Sequence, residues 1–205
     1  MNAQKHILMV TTSADSLPNG KKTGVWLEEI AVPYLALAKA GLNITVASPK
    51  GGAVPLDPTS LDEASVAKWP DILELLKNSA PLKDIQAHGF DAIVLPGGHG
   101  TMMDFATDAE LKRLLLDFAK NGKIIAAVCH GPQILVSAGV LKNRTCTAYP
   151  AVKPDVVDAG AMWGELNETL TNAVVDGHIV TAPAWPAHPA WIAAFAKLLG
   201  AKISI

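Results

Sequence analysis

The stretch at residues 123–132, KIIAAVCHGP, constrains the fold of this chain more than any other. Residues 123–128 form a short apolar run rich in β-branched and small side chains, the pattern of a buried strand. The run ends on Cys129, followed by His130 and Gly131, and an apolar stretch with helical character begins at Gln133. Strand, nucleophile-type residue, tight turn and helix together describe a nucleophile elbow. The hydrolase form of that elbow is Gly-x-Ser-x-Gly. Here it reads Ala127-Val128-Cys129-His130-Gly131, with small residues where backbone must pass close to backbone. A helix starting just beyond the sulfur is expected to favour thiolate over thiol.

Strand and helix patterns alternate on both sides of the elbow. Residues 6–12 read as a first strand, 24–40 as a helix, and 43–48 as a second strand, with Gly41 as the helix stop. Pro33 lies inside the first helical run, where a kink or early break is expected. Residues 49–60 are dense in turn formers, and short helical pieces follow at 61–68 and 71–79. Residues 90–95 form a third strand that ends in Pro96-Gly97-Gly98-His99-Gly100. An amphipathic helix spans 107–121. After the elbow come a helix to Ala138, a strand around 144–148 and a short helix at 151–159. Strands at 173–175 and 179–181 flank Asp176-Gly177, a hairpin-turn signal. A helix at 191–199 closes the chain. This alternation implies a mostly parallel sheet covered by helices on both faces, with its site at the carboxyl ends of the strands.

A chain of 205 residues, 50% hydrophobic and 18% charged, suits a single globular domain, residues 1–205, with a real core. Its 17 basic and 19 acidic side chains give a formal charge of −2 without a basic run, so nucleic acid is not an expected partner. No apolar run approaches the ~18–20 residues of a membrane span. Two cysteines make no disulfide scaffold, which points to a reducing, cytoplasmic compartment.

Cys129 is the candidate nucleophile, while Cys146, inside a strand pattern, reads as a packing residue. The neutral imidazole of His130 can take or return a proton at the neighbouring thiol. Glycines in Gly97-Gly98-His99-Gly100 let backbone N–H groups face a developing negative charge, as in an oxyanion hole. The run is not a dinucleotide fingerprint. Glu28 and Glu29 sit together in an otherwise apolar helix. One of them must lie near the apolar face with a raised pKa, and helical spacing does not choose between them. Trp185 and His188, before the last helix, are candidates for lining a pocket. His and Cys do not recur at paired short spacings, so no metal and no cofactor is expected.

AAVCHGP, with DAIVLPGGHGTMMDF, TGVWLEEIAVPY, ASPKGG and PLDP before it, resembles the ThiJ/PfpI superfamily, a relative of the class I glutamine amidotransferase domain. The resemblance covers nearly the whole chain. The segments before the elbow are most similar to the branch of heat-shock chaperones and glutathione-independent glyoxalases (glyoxalase III). AYPAVKPDVVDAGA and VVDGHIVTA look more like the short PfpI-type proteases or amidases. The resemblance implies a flavodoxin-like three-layer α/β/α sandwich, usually dimeric. It implies Cys129 as nucleophile with His130 beside it, Glu29 rather than Glu28 as the nearby acid, and Gly98 and His99 at the oxyanion turn. The late His-x-Glu of glutamine amidotransferases has its nearest match at His188-Pro189-Ala190, where the acid is missing. The carboxylate that the glyoxalase branch places after the elbow has only Asp155 as a counterpart, and PfpI-type proteins borrow an acid from a neighbouring subunit.

The leading expectation is a cofactor-free enzyme acting on small reactive aldehydes such as methylglyoxal through a Cys129 hemithioacetal. The alternatives are a stress chaperone or deglycase-like protective factor, a redox-sensing cysteine protein, and a PfpI-type protease or amidase.

Overall fold

The computed structural model describes residues 4–203. Its strands are β1 (His6–Val10), β2 (Asn43–Ser48), β3 (Ala80–Pro81), β4 (Ala92–Leu95), β5 (Ile124–Val128), β6 (Thr145–Cys146), β7 (Met162–Trp163), β8 (Val174–Asp176) and β9 (Ile179–Ala182). Its helices are α1 (Leu27–Lys39), α2 (Glu63–Lys68), α3 (Pro70–Leu75), α4 (Thr101–Asp104), α5 (Ala109–Lys120), α6 (Gln133–Ser137), α7 (Lys153–Asp158) and α8 (His188–Leu199).

Seven strands form one sheet in the order β3-β2-β1-β4-β5-β9-β8, and β6 pairs with β7 in a small separate ribbon. Every neighbour in the main sheet is parallel except β8, which pairs antiparallel with β9 at one edge. The central strands are apolar on both faces, as a parallel sheet between two helical layers requires. Alternation along each strand divides the core. Leu8, Val10, Ile93, Leu95, Ile125 and Ala127 pack with Leu111, Leu114, Leu115 and Phe118 of α5. Ile7, Met9, Ala92, Val94, Ala126 and Val128 pack with Leu27 and Ile30 of α1 and with Trp191, Ile192 and Phe195 of α8. The fold is therefore a flavodoxin-like α/β/α sandwich. Each fully buried large side chain contributes about 1.5–3 kcal/mol, so truncating Phe118 costs about 3–5 kcal/mol.

The chain runs outward from β1 to β2 and β3, then returns to β4 on the other side of β1. That reversal opens a crevice at the carboxyl ends of the strands, where α/β sheets place ligands. Glu29 on α1, the Gly97-Gly98 turn after β4 and Cys129 after β5 all meet at this end.

Local structure departs from sequence expectation at identifiable places. Helix α1 passes through Pro33 without ending, because Leu27, Ile30, Ala31, Pro33, Ala36 and Leu37 are all buried and tertiary packing outweighs the lost hydrogen bond. The hairpin loop is Gly177-His178 rather than Asp176-Gly177. Asp176 stays in register opposite Ile179, and its carboxylate accepts from Thr145 N–H at 2.7 Å and Arg144 Nη1 at 2.9 Å. The strand expected around 144–148 shortens to β6 and leaves the main sheet, since Thr147 N–H donates to the Thr181 hydroxyl at 2.9 Å instead of to a strand carbonyl. Strand β3 and helix α4 are too short for a periodic signal. Among the described residues no helix is long and apolar enough to cross a membrane.

Candidate active site

The elbow is a strained turn held from both sides. Cys129 takes φ +60°, a conformation that costs a residue with a side chain about 1–3 kcal/mol. Its N–H donates to Ala182 O of β9 at 3.1 Å, and its own carbonyl accepts from Tyr149 N–H at 2.9 Å. Gly131 N–H closes the turn onto Val128 O at 2.9 Å. A Cβ on Gly131 would sit 2.5 Å from Leu95 O, so the small residue there is a packing requirement.

The sulfur lies in a dry corner, with Cys129 only 6% exposed. Burial pushes its thiol well above the ordinary value, and the charge of Glu29 adds to the rise. Backbone N–H groups of Gly98 and His130 face the sulfur and act in the opposite direction. The helix that follows is short, α6 being five residues long, and burial is the largest influence on the thiol.

Glu29 is fully buried, whereas Glu28 remains half-buried. One oxygen of Glu29, Oε2, accepts from Gly97 N–H at 3.0 Å, while Oε1 has no hydrogen-bond partner among the described residues. Desolvation pushes this carboxyl up to about 8, against the opposing pull of the Cys129 thiol, Gly97 N–H and Trp185 N–H. Carboxyl and thiol are neighbours in one dry site and cannot both ionise cheaply, so they titrate as a pair. At neutral pH the pair holds its protons. Loss of one leaves a single charge that sulfur and carboxyl can share.

Gly97 is what allows this approach. A Cβ there would fall 2.5 Å from Cys129 Cβ, 2.6 Å from Glu29 Oε2 and 2.9 Å from Val128 O. Gly98 has φ +102°, and a Cβ on it would strike Trp26 N at 2.5 Å and Gly24 O at 2.6 Å. Both glycines are therefore imposed by the close passage of the β4 turn over α1 and the elbow.

His130 Nδ1 lies 3.3 Å from Cys129 Sγ. Burial, helped by the neighbouring His99, lowers this imidazole to about 4, so it stays neutral in ordinary buffers. Its ring stacks on Tyr149 at 4.9 Å and tilts against His99 at 5.4 Å. His99 Nδ1 is in turn 2.7 Å from Asp57 Oδ2.

A pocket of about 140 Å³ opens over the sulfur, lined by Trp26, Gly98, His99, Cys129, His130, Tyr149 and Trp185. Trp26 and Trp185 stack face to face, with centroids 5.0 Å apart and planes 6° from parallel. Among the described residues, no lysine, arginine, aspartate or glutamate lines it. The structure thus brings Cys129, His130, Gly98, His99 and Trp185 to one pocket, with Glu29 beneath the thiol. It does not bring His188 or Asp155 there. His188 is buried against Trp191, both ring nitrogens without a hydrogen-bond partner among the described residues and its imidazole lowered to about 4 by desolvation. Asp155 is exposed on α7 and accepts from Gln133 Nε2 at 3.4 Å. Sequence reasoning missed Trp26, Tyr149 and Asp57. Each stands inside a segment already singled out (GVWLEEIAVPY, AYPAVKPD and PLDP), but nothing in spacing aims those side chains at the cysteine.

The sequence model of the DJ-1/PfpI family matches residues 22–198. This chain belongs to the DJ-1/PfpI family. Protein DJ-1 homolog D of Arabidopsis thaliana is 34% identical over 181 residues, which is 86% of this chain and 45% of that protein. The chain thus spans somewhat under half the length of that relative. A deglycase of Pyrococcus abyssi is 33% identical over 175 residues, covering 83% of this chain and 91% of the deglycase. The glutathione-independent glyoxalase hsp3102 of Schizosaccharomyces pombe is 30% identical over 144 residues, covering 65% of this chain and 60% of the glyoxalase. Among solved structures, the Rapid Encystment Protein of Francisella tularensis superposes with a TM-score of 0.87 at 30% identity, covering 96% of this chain and 99% of that one. A DJ-1/PfpI chain is accordingly the frame in which the Cys129 pocket is to be read.

Proposed function

We propose that this chain is a cofactor-free glyoxalase that converts methylglyoxal, or a similarly small α-oxoaldehyde, to the hydroxy acid through Cys129. The observation that carries the reading is the pairing of a fully buried Glu29 carboxyl with the Cys129 thiol under a small, uncharged, aromatic pocket. At about 140 Å³ the pocket is well below the roughly 300–1,000 Å³ of drug-sized sites, which suits a substrate of a few heavy atoms. The lack of a lysine or arginine in its lining suits a neutral carbonyl compound rather than an anion. The relative named as a glutathione-independent glyoxalase supports the same chemistry.

In this reading the single charge of the pair moves to sulfur, and the thiolate adds to the aldehyde carbon. The new oxyanion lies against the N–H groups of Gly98 and His130, preorganised donors in a dry site. It takes a proton to give the hemithioacetal. Glu29, now a carboxylate, removes the hydrogen from that carbon and delivers it to the adjacent carbonyl carbon. The result is a hydroxyacyl thioester on Cys129, and water releases the acid and restores the thiol. His130, neutral and beside the sulfur, is placed to carry protons between the two substrate oxygens. A deglycase reading, which the Pyrococcus relative brings, would use the same thiol on an adduct attached to an amine or thiol. The small pocket favours the free oxoaldehyde.

The test is lactate formation from methylglyoxal without glutathione. Wild type should produce it, Cys129→Ala should not, and Glu29→Gln should lose activity by about 10²–10⁴-fold. Full lactate formation by Cys129→Ala would remove the proposal. Absence of lactate with release of free amine from a methylglyoxal-treated peptide would move the assignment to the deglycase.

A further inference from the structure

The Cys129 pocket contains a second acid–base pair that the reaction above leaves unused. His99 lines the pocket on the β4 turn, and its Nδ1 is 2.7 Å from Asp57 Oδ2. Asp57 is 3% exposed and arrives from the turn-rich stretch between β2 and α2. Burial alone would push its carboxyl up. Hydrogen bonds from Thr59, whose N–H donates at 3.0 Å, and from His99 hold it below its ordinary value instead. Asp57 is thus a fixed carboxylate acceptor. It requires the proton of a neutral His99 to sit on Nδ1, which leaves Nε2 as the basic nitrogen.

The other bases of the site are unsuited to handling water. Glu29 is sealed from solvent beneath the thiol. His130 is buried, lies against the sulfur, is lowered to about 4 and, among the described residues, has no carboxylate hydrogen-bonded to its ring. His99 is placed differently. Its side chain is 47% exposed, it stands at the pocket wall 5.4 Å from the His130 ring, and a buried carboxylate orients it. The pocket therefore separates a dry base for carbon-bound hydrogen from a wet base beside the entrance. Hydrolysis of a thioester on Cys129 requires the second kind.

We propose that His99, oriented by Asp57, activates the water that releases the acyl group from Cys129. Water oxygen adds to the acyl carbon while its proton passes to His99 Nε2. The C–S bond then breaks, its electron pair returns to Cys129 Sγ, and the proton held by His99 is returned to the thiolate. The free acid leaves with no other reactant consumed. His99 is the catalytic residue of this step and Asp57 a positioning residue.

The proposal rests on the covalent Cys129 chemistry of the preceding subsection, so the experiment has two arms. In the first, p-nitrophenyl acetate acetylates Cys129 directly, and intact-mass spectrometry follows the acetyl-enzyme after excess ester is removed. His99→Gln should accumulate acetyl-Cys129 and lose it about 10²–10³-fold more slowly than wild type. Asp57→Asn should show the same defect in weaker form, with part of the rate regained in Asp57→Glu. Initial nitrophenolate release, which reports acylation, should persist in all three variants. In the second arm, methylglyoxal given to His99→Gln should leave a lactoyl group on Cys129 that hydroxylamine removes as the hydroxamate. Equal decay of acetyl-Cys129 in wild type and His99→Gln would overturn the proposal. So would the absence of acetyl-Cys129 in both wild type and His99→Gln, a joint loss of acylation and release, or unimpaired lactate formation by His99→Gln. A wild type that makes no lactate, beside an acetyl-enzyme that persists only without His99, would reject the methylglyoxal reading and leave the water-activating role standing.

Discussion

The ends of β5 and β6 each carry one of the two cysteines, and both sulfurs are removed from water. Cys129 is 6% exposed and Cys146 0%. Burial raises both thiols, Cys146 to about 12 with only the Thr181 hydroxyl opposing. Cys146 lies in a strand inside the apolar layer that includes α5, and its thiol donates to Thr147 O at 3.4 Å. Cys129 lies in a left-handed turn, under a pocket, with a buried carboxyl on one side and backbone N–H groups on another. Desolvation is common to the two. The difference is made by what surrounds the sulfur once water is gone, and by the backbone conformation that presents it.

The largest expected effect tests that contrast on activity. Cys129→Ala should abolish turnover of an α-oxoaldehyde, while Cys146→Ala, which removes only a buried thiol, should leave kcat/KM within about twofold and lower Tm by a few degrees. Loss of activity in both variants, with both folded, would erase the distinction.

The next effect concerns what holds the Cys129 surroundings together. Gly97→Ala forces a methyl group into the gap between Cys129 and Glu29, where overpacking costs about 1–3 kcal/mol or more. It also displaces the N–H that binds Glu29 Oε2. Both stability and activity should fall. Gly89→Ala is the control: nothing lies within 4 Å of its added Cβ, and thermal melting should not shift downward.

Much of the contrast was legible in the sequence, for reasons specific to each residue. The order of apolar runs gave the parallel sheet, and a short strand followed by Cys129-His130-Gly131 gave the turn, because both signals are local. Glu29 was separable from Glu28 only by resemblance. Their adjacent positions in α1 both fit an amphipathic pattern, and the choice is made by the fold of the β4 turn over the helix. Trp26, Tyr149 and Asp57 were not legible at all. Trp26 and Tyr149 reach the pocket, and Asp57 reaches His99, through loops whose path depends on packing far away in sequence. His188 carries the opposite error: a histidine beside two tryptophans reads as a pocket wall, and it is instead the buried first residue of α8, packed against Trp191.

A different effect, spread over several pH units, separates the cysteines. The Glu29 carboxyl keeps its proton up to about pH 8 in the folded chain, against an ordinary value of 4.5. Between those values the unfolded chain has released the proton and the folded chain retains it. Stability from this group is therefore full below the lower value, falls by about 1.4 kcal/mol per pH unit through the window, and is lost above the upper one. Glu29→Gln lacks this proton. Its Tm relative to wild type should climb from about pH 5 to about pH 8 and then level off. The same difference for Cys146→Ala should stay flat over that range, since a thiol held up to about 12 releases no proton there. A flat line for Glu29→Gln would mean that the carboxyl is ionised in the folded chain.

The smallest effect isolates the backbone from the chemistry. At Cys129, with φ +60°, glycine escapes a left-handed penalty that alanine must bear, about 1–2 kcal/mol. Cys129→Gly should therefore be more stable than Cys129→Ala, even though it buries less apolar surface. At Cys146, in an extended strand, glycine gains nothing from φ and loses about 0.5–1 kcal/mol in chain entropy relative to alanine. There Cys146→Ala should be the more stable. Denaturant melts of the four variants thus predict opposite signs for one substitution pair at two buried cysteines. Equal signs would mean that the turn at Cys129 relaxes to an ordinary conformation when its side chain is cut back. The strain would then belong to the thiol's interactions with Glu29 and Gly98 rather than to the hydrogen bonds from Ala182 and Tyr149 that pin the backbone.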